Sequence, residues 1–253
     1  MEAFIKNLAR GAGKILREGF RTKFKVNHKT APWDVVTEYD LASEKFIIDK
    51  IQKKFPRHGI LSEETGLIGK KNNIWVIDPL AGTLPFSRGY PQFAVSIGFV
   101  SRGKGRFGVV YDPMHEELFF AQKDRGSYLN GKKSAIYQPA ELKFANIYMA
   151  LGTGVASDHE RRFTFNKLVL PYHLWRTGTV AAALSLAWMS AGRLDVAITH
   201  LPVWDNCAGA LLLTEAGAKV TDFKGRPFRW DKGELIAAAP KIHGEILKVL
   251  KKM

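Results

Sequence analysis

Residues 75–91 read W-V-I-D-P-L-A-G-T-L-P-F-S-R-G-Y-P, and this stretch decides the fold. An apolar run, Trp75 to Ile77, ends at Asp78-Pro79, and Gly82-Thr83 opens a new segment. A buried strand stopped by proline, with an acid at its end, presents carboxylate oxygens to a cleft beyond the strand. Pro79 fixes the chain direction, the Leu80 carbonyl can turn inward, and Gly82 allows close backbone approach. A helix beginning near Thr83 would add free N–H groups, an anion site. Where a second acid would make chemical sense stands Ala81.

Working outward, residues 1–22 and about 40–55 read as helices, the second with an apolar stripe of Leu41, Phe46, Ile47, Ile51 and Phe55. Downstream, "FAVSIGFV", "GRFGVVYDP" and "EELFFAQ" are strand-like and separated by turn residues, which predicts an antiparallel sheet with helices on it. After about residue 140 the rhythm becomes alternating. "TVAAALSLAWMSAG" and "DNCAGALLLTEAG" read as helices, "RLDVAIT", "AKVTD" and "ELIAAAP" as strands, and the terminal "IHGEILKVLKK" as a helix. Alternation predicts a largely parallel second sheet. Two halves follow, 1–142 and 143–253, with a ligand cleft at their seam.

The chain has 253 residues, 46% of them hydrophobic, enough for a sizeable core. No apolar run approaches the ~18 residues of a membrane span, and the amphipathic N-terminus lacks the apolar centre of a secretory signal. The single cysteine, Cys207, excludes an internal disulfide and a cysteine-rich metal site, so a reducing, cytoplasmic setting is expected. Formal charge is +14, with Lys and Arg dispersed along the sequence and in no long tract. Dispersion predicts attraction of small anions rather than binding of nucleic acid, or simply a solvated basic surface.

Acids stand at turns in four places: Asp34 and Asp40 in "DVVTEYD", Glu63-Glu64 in "LSEETG", Asp78, and Asp205 in "VWDNCAG". Singly these are an Asp-Pro turn, an exposed loop and a helix N-cap. Together they are oxygen ligands for a hard cation such as magnesium. The ordered set resembles the inositol monophosphatase family of magnesium-dependent, lithium-sensitive phosphomonoesterases. "WVIDPLAGTLPF" with "GYPQFAVSIGFV" resembles the family's first signature, "DVVTEYD" and "LSEETG" its upstream segments, and "WDNCAGALLLTEAGAKVTD" its second signature. The resemblance spans about residues 3–240.

It implies a layered αβαβα sandwich, an α+β or α/β fold of the inositol monophosphatase and fructose-1,6-bisphosphatase type, and a homodimer. It implies that Glu63 binds metal and orients the attacking water, that Asp78 bridges two metals with the Leu80 carbonyl as a further ligand, and that Asp205 holds the second metal. Thr83, supported by Asp40, would activate the water, with Glu64 and Asp34 as supporting partners. Gly82 and Thr83 would also meet substrate. The family's third acid in the metal loop is replaced by Ala81. One isolated defect amid intact neighbours is what a deliberate Asp→Ala change, made to trap substrate, would leave; a naturally inactive relative is the alternative.

On the substrate side, Arg88 could grip a second phosphate or a carboxylate, or be a plain surface arginine. Thr153, Gly178 and Thr179 match the family's substrate-side segments. Thr199-His200 stand where inositol phosphatases carry a glutamate, so the resemblance does not single out inositol phosphate as the substrate. The expectation is a phosphatase for a small phosphorylated polyol, sugar or nucleotide, impaired by Ala81. Alternatives are removal of phosphate from fructose-1,6-bisphosphate, NADP or 3′-phosphoadenosine 5′-phosphate, or a catalytically silent protein that binds RNA or a protein partner.

Overall fold

A computed structural model describes residues 1–29, 31–32, 34–152 and 181–250. Helix α1 (Glu2–Gly19) buries Ile5, Leu8, Ala9, Ala12 and Leu16, the spacing of one helical face. A short hairpin, β1 (Val26–His28) with β2 (Val35–Thr37), leads to α2 (Glu38–Lys54). Thr37 and Asp40 start α2 as a capping box, each side chain bonding the other's backbone N–H. The buried face of α2 is Asp40, Ser43, Glu44, Ile47, Ile48 and Ile51. Leu41, expected in its apolar stripe, is 51% exposed, because the inward face at this end of the helix is polar.

Eight strands form the first sheet: β3 (Gly59–Ser62), β4 (Gly66–Ile68), β5 (Asn73–Ala81), β6 (Ala94–Ser101), β7 (Lys104–Asp112), β8 (Glu117–Gln122), β9 (Gly126–Leu129) and β10 (Lys132–Ser134). Their order is β10-β9-β8-β7-β6-β5-β3-β4. All neighbours are antiparallel except β3 and β5. Between β5 and β6 lies α3 (Thr83–Ser87).

The second sheet is β11 (Ile147–Leu151), β12 (Val196–His200), β14 (Glu234–Ala238) and β13 (Lys219–Thr221), in that order. Only β11 and β12 are parallel, which corrects the expectation of a largely parallel sheet. The reason is local: no helix intervenes between β13 and β14, so the chain returns antiparallel.

Helices α4 (Ala182–Ser190) and α5 (Val203–Glu215) lie between the sheets, and α6 (Pro240–Leu250) packs on the second sheet through Ile242, Ile246 and Leu250. Among the described residues the layers are thus helices, sheet, helices, sheet, helix. Every residue of α5 from Asn206 to Leu213 is buried, as a helix sandwiched by two sheets requires. Its close seat on the first sheet depends on Gly108, where a Cβ would stand 2.9 Å from the Ala208 carbonyl oxygen. On the other face of that sheet, Ile5, Ile47, Trp75, Ile77 and Phe93 join α1 and α2 to the strands.

Candidate active site

Parallel pairing of β3 with β5 brings two acids to one strand end. Ser62 is opposite Ile77, and the Glu63 N–H donates to the Ile77 carbonyl at 3.2 Å, so Glu63 and Asp78 emerge side by side. Past Asp78 the β5–β6 register shifts before Ala81 pairs with Ala94, a bulge that re-aims the loop. The Leu80 N–H donates to Asp78 Oδ1 at 3.1 Å and fixes that carboxylate. Gly82 caps the next element with φ of 92°, and a Cβ there would lie 2.9 Å from the Ala181 methyl, so both conformation and space require glycine. A helix does begin at Thr83, though it is only five residues long.

Helix α2 holds these loops from beneath. Thr83 Oγ1 donates to Asp40 Oδ1 at 2.8 Å and lies 3.1 Å from the Leu80 carbonyl. Ser43 Oγ donates to the Pro79 carbonyl at 2.8 Å. Glu44 accepts the N–H groups of Glu64 and Thr65, both at 3.1 Å, and the Thr65 hydroxyl. Opposite, Lys29 Nζ donates to Glu63 at 3.0 Å and also to Glu64.

Asp205 reaches the same electrostatic neighbourhood from the first turn of α5. It is not the N-cap, which is Pro202; it lies three residues inside, its N–H directed at the Pro202 carbonyl at 3.3 Å.

Crowding of acids in a desolvated place raises their pKa values. Burial pushes Asp78 well above the usual carboxylate range, and the charges of Glu63, Asp205 and Asp40 push further. Asp205 is driven up to about 8 by burial and then by Glu63. Asp40 rises to about 6 through burial, against the hydrogen bonds from Thr37 and Thr83. Burial also raises Glu63 and Glu64, with Lys29 opposing. Burial works against the Lys29 ammonium, but the two glutamates outweigh it and hold the proton on.

The donors available to a metal are all oxygen: the carboxylates of Glu63, Asp78 and Asp205 and the Leu80 carbonyl. That chemistry fits a hard divalent cation, which takes one or two carboxylates and completes its shell with water and phosphate. Among the described residues no three Asp, Glu, His or Cys side chains already converge as a ready cluster. Lys29 supplies the positive charge that faces Glu63 instead. Ala81 offers no oxygen. It is 2% exposed and packs in an apolar cluster with Ala94, Ala181 and Ala208. The set therefore fits one cation at Glu63, Asp78 and Leu80, and falls a carboxylate short at Asp78 and Asp205.

Other expected residues separate. Asp34 closes the β1–β2 hairpin, its carbonyl accepting from the Lys29 N–H at 2.7 Å. Arg88 is exposed at the end of α3. Thr199 is fully buried and its hydroxyl donates to Asn206 at 2.9 Å, which sets it inside the wall, away from ligand. His200 is half-buried beside Phe223. Thr153, Gly178 and Thr179 lie outside the described residues. Sequence reasoning missed Lys29, counted only among the dispersed basic residues, and Glu44. The T-x-x-D box at 37–40 was the one local signal that this segment is anchored.

A family model described as "Inositol monophosphatase family" matches residues 1–253. The inositol-1-monophosphatase of Bacillus subtilis is 35% identical over 256 residues, covering 98% of this chain and 95% of that protein. A protein of Pasteurella multocida named Nus factor SuhB is 37% identical over 247 residues, covering 94% and 91%. The crystal structure of extragenic suppressor protein suhB from Bartonella henselae superposes with a TM-score of 0.91 at 30% identity, covering 99% and 98%.

Proposed function

The chain belongs to the inositol monophosphatase family, and from that premise we propose a magnesium-dependent phosphomonoesterase for a small phosphorylated polyol, sugar or nucleotide, impaired by Ala81. The observation that carries this reading is the Thr83–Asp40 hydrogen bond standing beside the acids Glu63 and Asp78. It is a proton path attached to an oxygen-rich cation site, which a pure binding module has no need of.

In this reading Glu63, Asp78 and the Leu80 carbonyl would hold one magnesium, and Asp205 would contribute to a second. Bound metal supplies Lewis-acid stabilisation and an acidified water. The chain's own part is positional and protic. The backbone N–H groups at Gly82 and Thr83, at the start of α3, would donate to phosphoryl oxygens. Thr83 Oγ1 takes a proton from the attacking water as it passes its own to Asp40 Oδ1. A carboxyl near 6 suits that task, since it accepts near neutrality and releases again. Glu63 orients the water, and Lys29 and Glu44 hold the Glu63-Glu64 turn. Arg88, His200, Thr153, Gly178 and Thr179 are the candidates for recognising the rest of the substrate. Fructose-1,6-bisphosphate, NADP and 3′-phosphoadenosine 5′-phosphate remain within the class. A homodimer in the cytoplasm completes the reading; among the described residues no helix is long and apolar enough to cross a membrane.

A second reading, a silent binding protein for RNA or a protein partner, is favoured by Ala81 together with the 37% identical relative named as a Nus factor. One experiment separates the two: a phosphomonoester panel with magnesium on the chain as it stands and on Ala81→Asp. Hydrolysis recovered in the variant supports the enzyme. A folded, metal-saturated Ala81→Asp protein inactive on every ester would leave the binding reading.

A further inference from the structure

We propose that the end of the eight-stranded sheet remote from the acids carries a second anion site, one that takes a nucleotide by its phosphate and its base. The loop entering β5, the β6–β7 turn and the end of β8 meet there around a cavity of about 480 Å³, a size usual for small-molecule sites. Asn73 begins β5, and Asp78 lies five residues further along it. At ~3.4 Å per residue the cavity is ~17 Å from the metal loop. This site stands apart from the phosphatase reading and does not need it.

Charge is the first argument. Arg102, Arg106 and Lys123 line the cavity. Lys123 shares its charge with Asp124 and Glu215. Beside Lys123, Arg106 is close enough to Asp124 to help hold that carboxyl below its usual range, and Arg102, exposed at the tip of the turn, forms no ion pair within 4 Å among the described residues. Lys70, Lys71, Lys104 and Arg125, all exposed, lie within a few residues of the lining. Cations scattered through the sequence are therefore gathered in space by strand pairing, Asn73 with Ser101 and Phe107 with Gln122. The sequence-based inference from dispersion does not hold at this end of the sheet.

Geometry is the second argument. Arg102 and Gly103 form the two-residue turn with φ of 52° and 74°, a conformation that Asn-Gly adopts easily and arginine only at a cost. The Arg102 N–H ties the turn to the Asn72 carbonyl at 2.8 Å. Asn73 Oδ1 accepts from Ser101 at 2.7 Å, which leaves the amide NH₂ as a donor on the lining. The half-buried ring of Phe107 gives the cavity an apolar surface where a flat base can lie. Two guanidinium groups, an amide donor and an aromatic face match a phosphate joined to a heterocycle better than either part alone.

The same chemistry comes as a free nucleotide or as one unit of an RNA strand, and the test separates them. Calorimetry in metal-free buffer with chelator keeps phosphate off the acidic site. The probes are adenosine 5′-monophosphate, ribose 5-phosphate and a short oligoadenylate, titrated into the chain, into Arg102→Asn and into Arg102→Ala/Arg106→Ala. Arg102→Asn suits the turn and removes only the cation. The expected result is one mononucleotide per chain, weakened about tenfold by Arg102→Asn and further by the double variant, with ribose 5-phosphate weaker than the nucleotide. Oligoadenylate binding tighter than the mononucleotide with the same arginine dependence assigns the site to a strand; equal binding assigns it to the free nucleotide. No binding of either, or binding indifferent to both arginines, overturns the proposal, and ribose 5-phosphate binding as tightly as the nucleotide overturns the base contact.

Discussion

Placing a carboxylate at position 81 has consequences that can be worked out before any substrate is known. Ala81 is 2% exposed, faces Ala94 across β5 and β6, and packs with Ala181 and Ala208. Aspartate there adds three heavy atoms to a filled space, a cost of ~1–3 kcal/mol. It also adds a negative charge near Glu63, Asp78 and Asp205, whose carboxyls are already pushed up by burial and by one another. At an effective dielectric of ~20, each like pair ~6–8 Å apart costs ~2–3 kcal/mol. Protonation caps the electrostatic part, since lifting a carboxyl from ~4 to neutrality corresponds to ~4 kcal/mol. Metal-free Ala81→Asp should therefore be less stable than the parent by ~2–5 kcal/mol at neutral pH, a melting temperature lower by ~5–15 °C. Magnesium at about a hundred times its dissociation constant returns ~2.7 kcal/mol, so the variant's melting temperature should depend steeply on magnesium and the parent's only weakly. Hydrolysis should rise by ~10²–10³. The assays are scanning calorimetry of both proteins with and without magnesium, and phosphate release. Equal stability without metal and equal response to it would show that position 81 does not face the acids, and the reading of the loop would fall.

Lys29→Met frees Glu63 from its half-buried ion pair, so calorimetry should show magnesium binding about fivefold tighter, given ~1 kcal/mol for such a pair; weaker binding would make Lys29 a support for the metal and not its competitor. Asp205 titrates at about 8 in the fold against an ordinary 3.8, so the folded state holds a proton that the unfolded state has lost. Its contribution is full below about 4 and disappears as pH rises through about 8. Metal-free melting temperatures should fall across that window, and Asp205→Asn should flatten the slope; an unchanged slope refutes the assignment. Glu44→Ala leaves two N–H groups and a hydroxyl without their acceptor. Urea denaturation should register a loss of ~2–4 kcal/mol, partly restored by glutamine, and a loss under ~1 kcal/mol would mean that water replaces the carboxylate.

The metal loop was legible because its signals are local. An apolar strand, a proline and a glycine fall within ten residues, and Gly82 and the helix start at Thr83 appear where they were expected; the strand itself was expected to stop at Pro79 but runs on to Ala81, because the bulge after Asp78 lets pairing with Ala94 resume. The layer order was available only through the family resemblance; the change of rhythm after about residue 140 marked where a second set of helices and strands begins. What escaped was set by contacts distant in sequence. Lys29 meets Glu63 across 34 positions and Glu44 meets Glu64 across 20, and no periodicity carries that information. Leu41 misled for a related reason: the α2 face it was assigned to turns toward loops that need hydrogen bonds, so polar residues took the inward positions. The second sheet misled because alternation fixes which elements occur but not the direction in which a short return strand pairs.

Asp40, Ser43 and Glu44 stand at i, i+3 and i+4 on one rigid helix, and each grips a different part of the site: Thr83, the Pro79 carbonyl, and the turn at Glu64 and Thr65. Helix α2 is thus a common datum for both loops, in addition to the Glu63 N–H bond to the Ile77 carbonyl that joins them directly. If the helix slides or tilts, both loops are carried along, and the spacing between Glu63 and Asp78 is preserved while everything around them moves. Tolerance to strain elsewhere in the chain is built in by this mounting, as in an instrument whose facing parts are bolted to one rail. A chain with alanine at position 81 has the rail in place, so an aspartate introduced there meets loops that are already held.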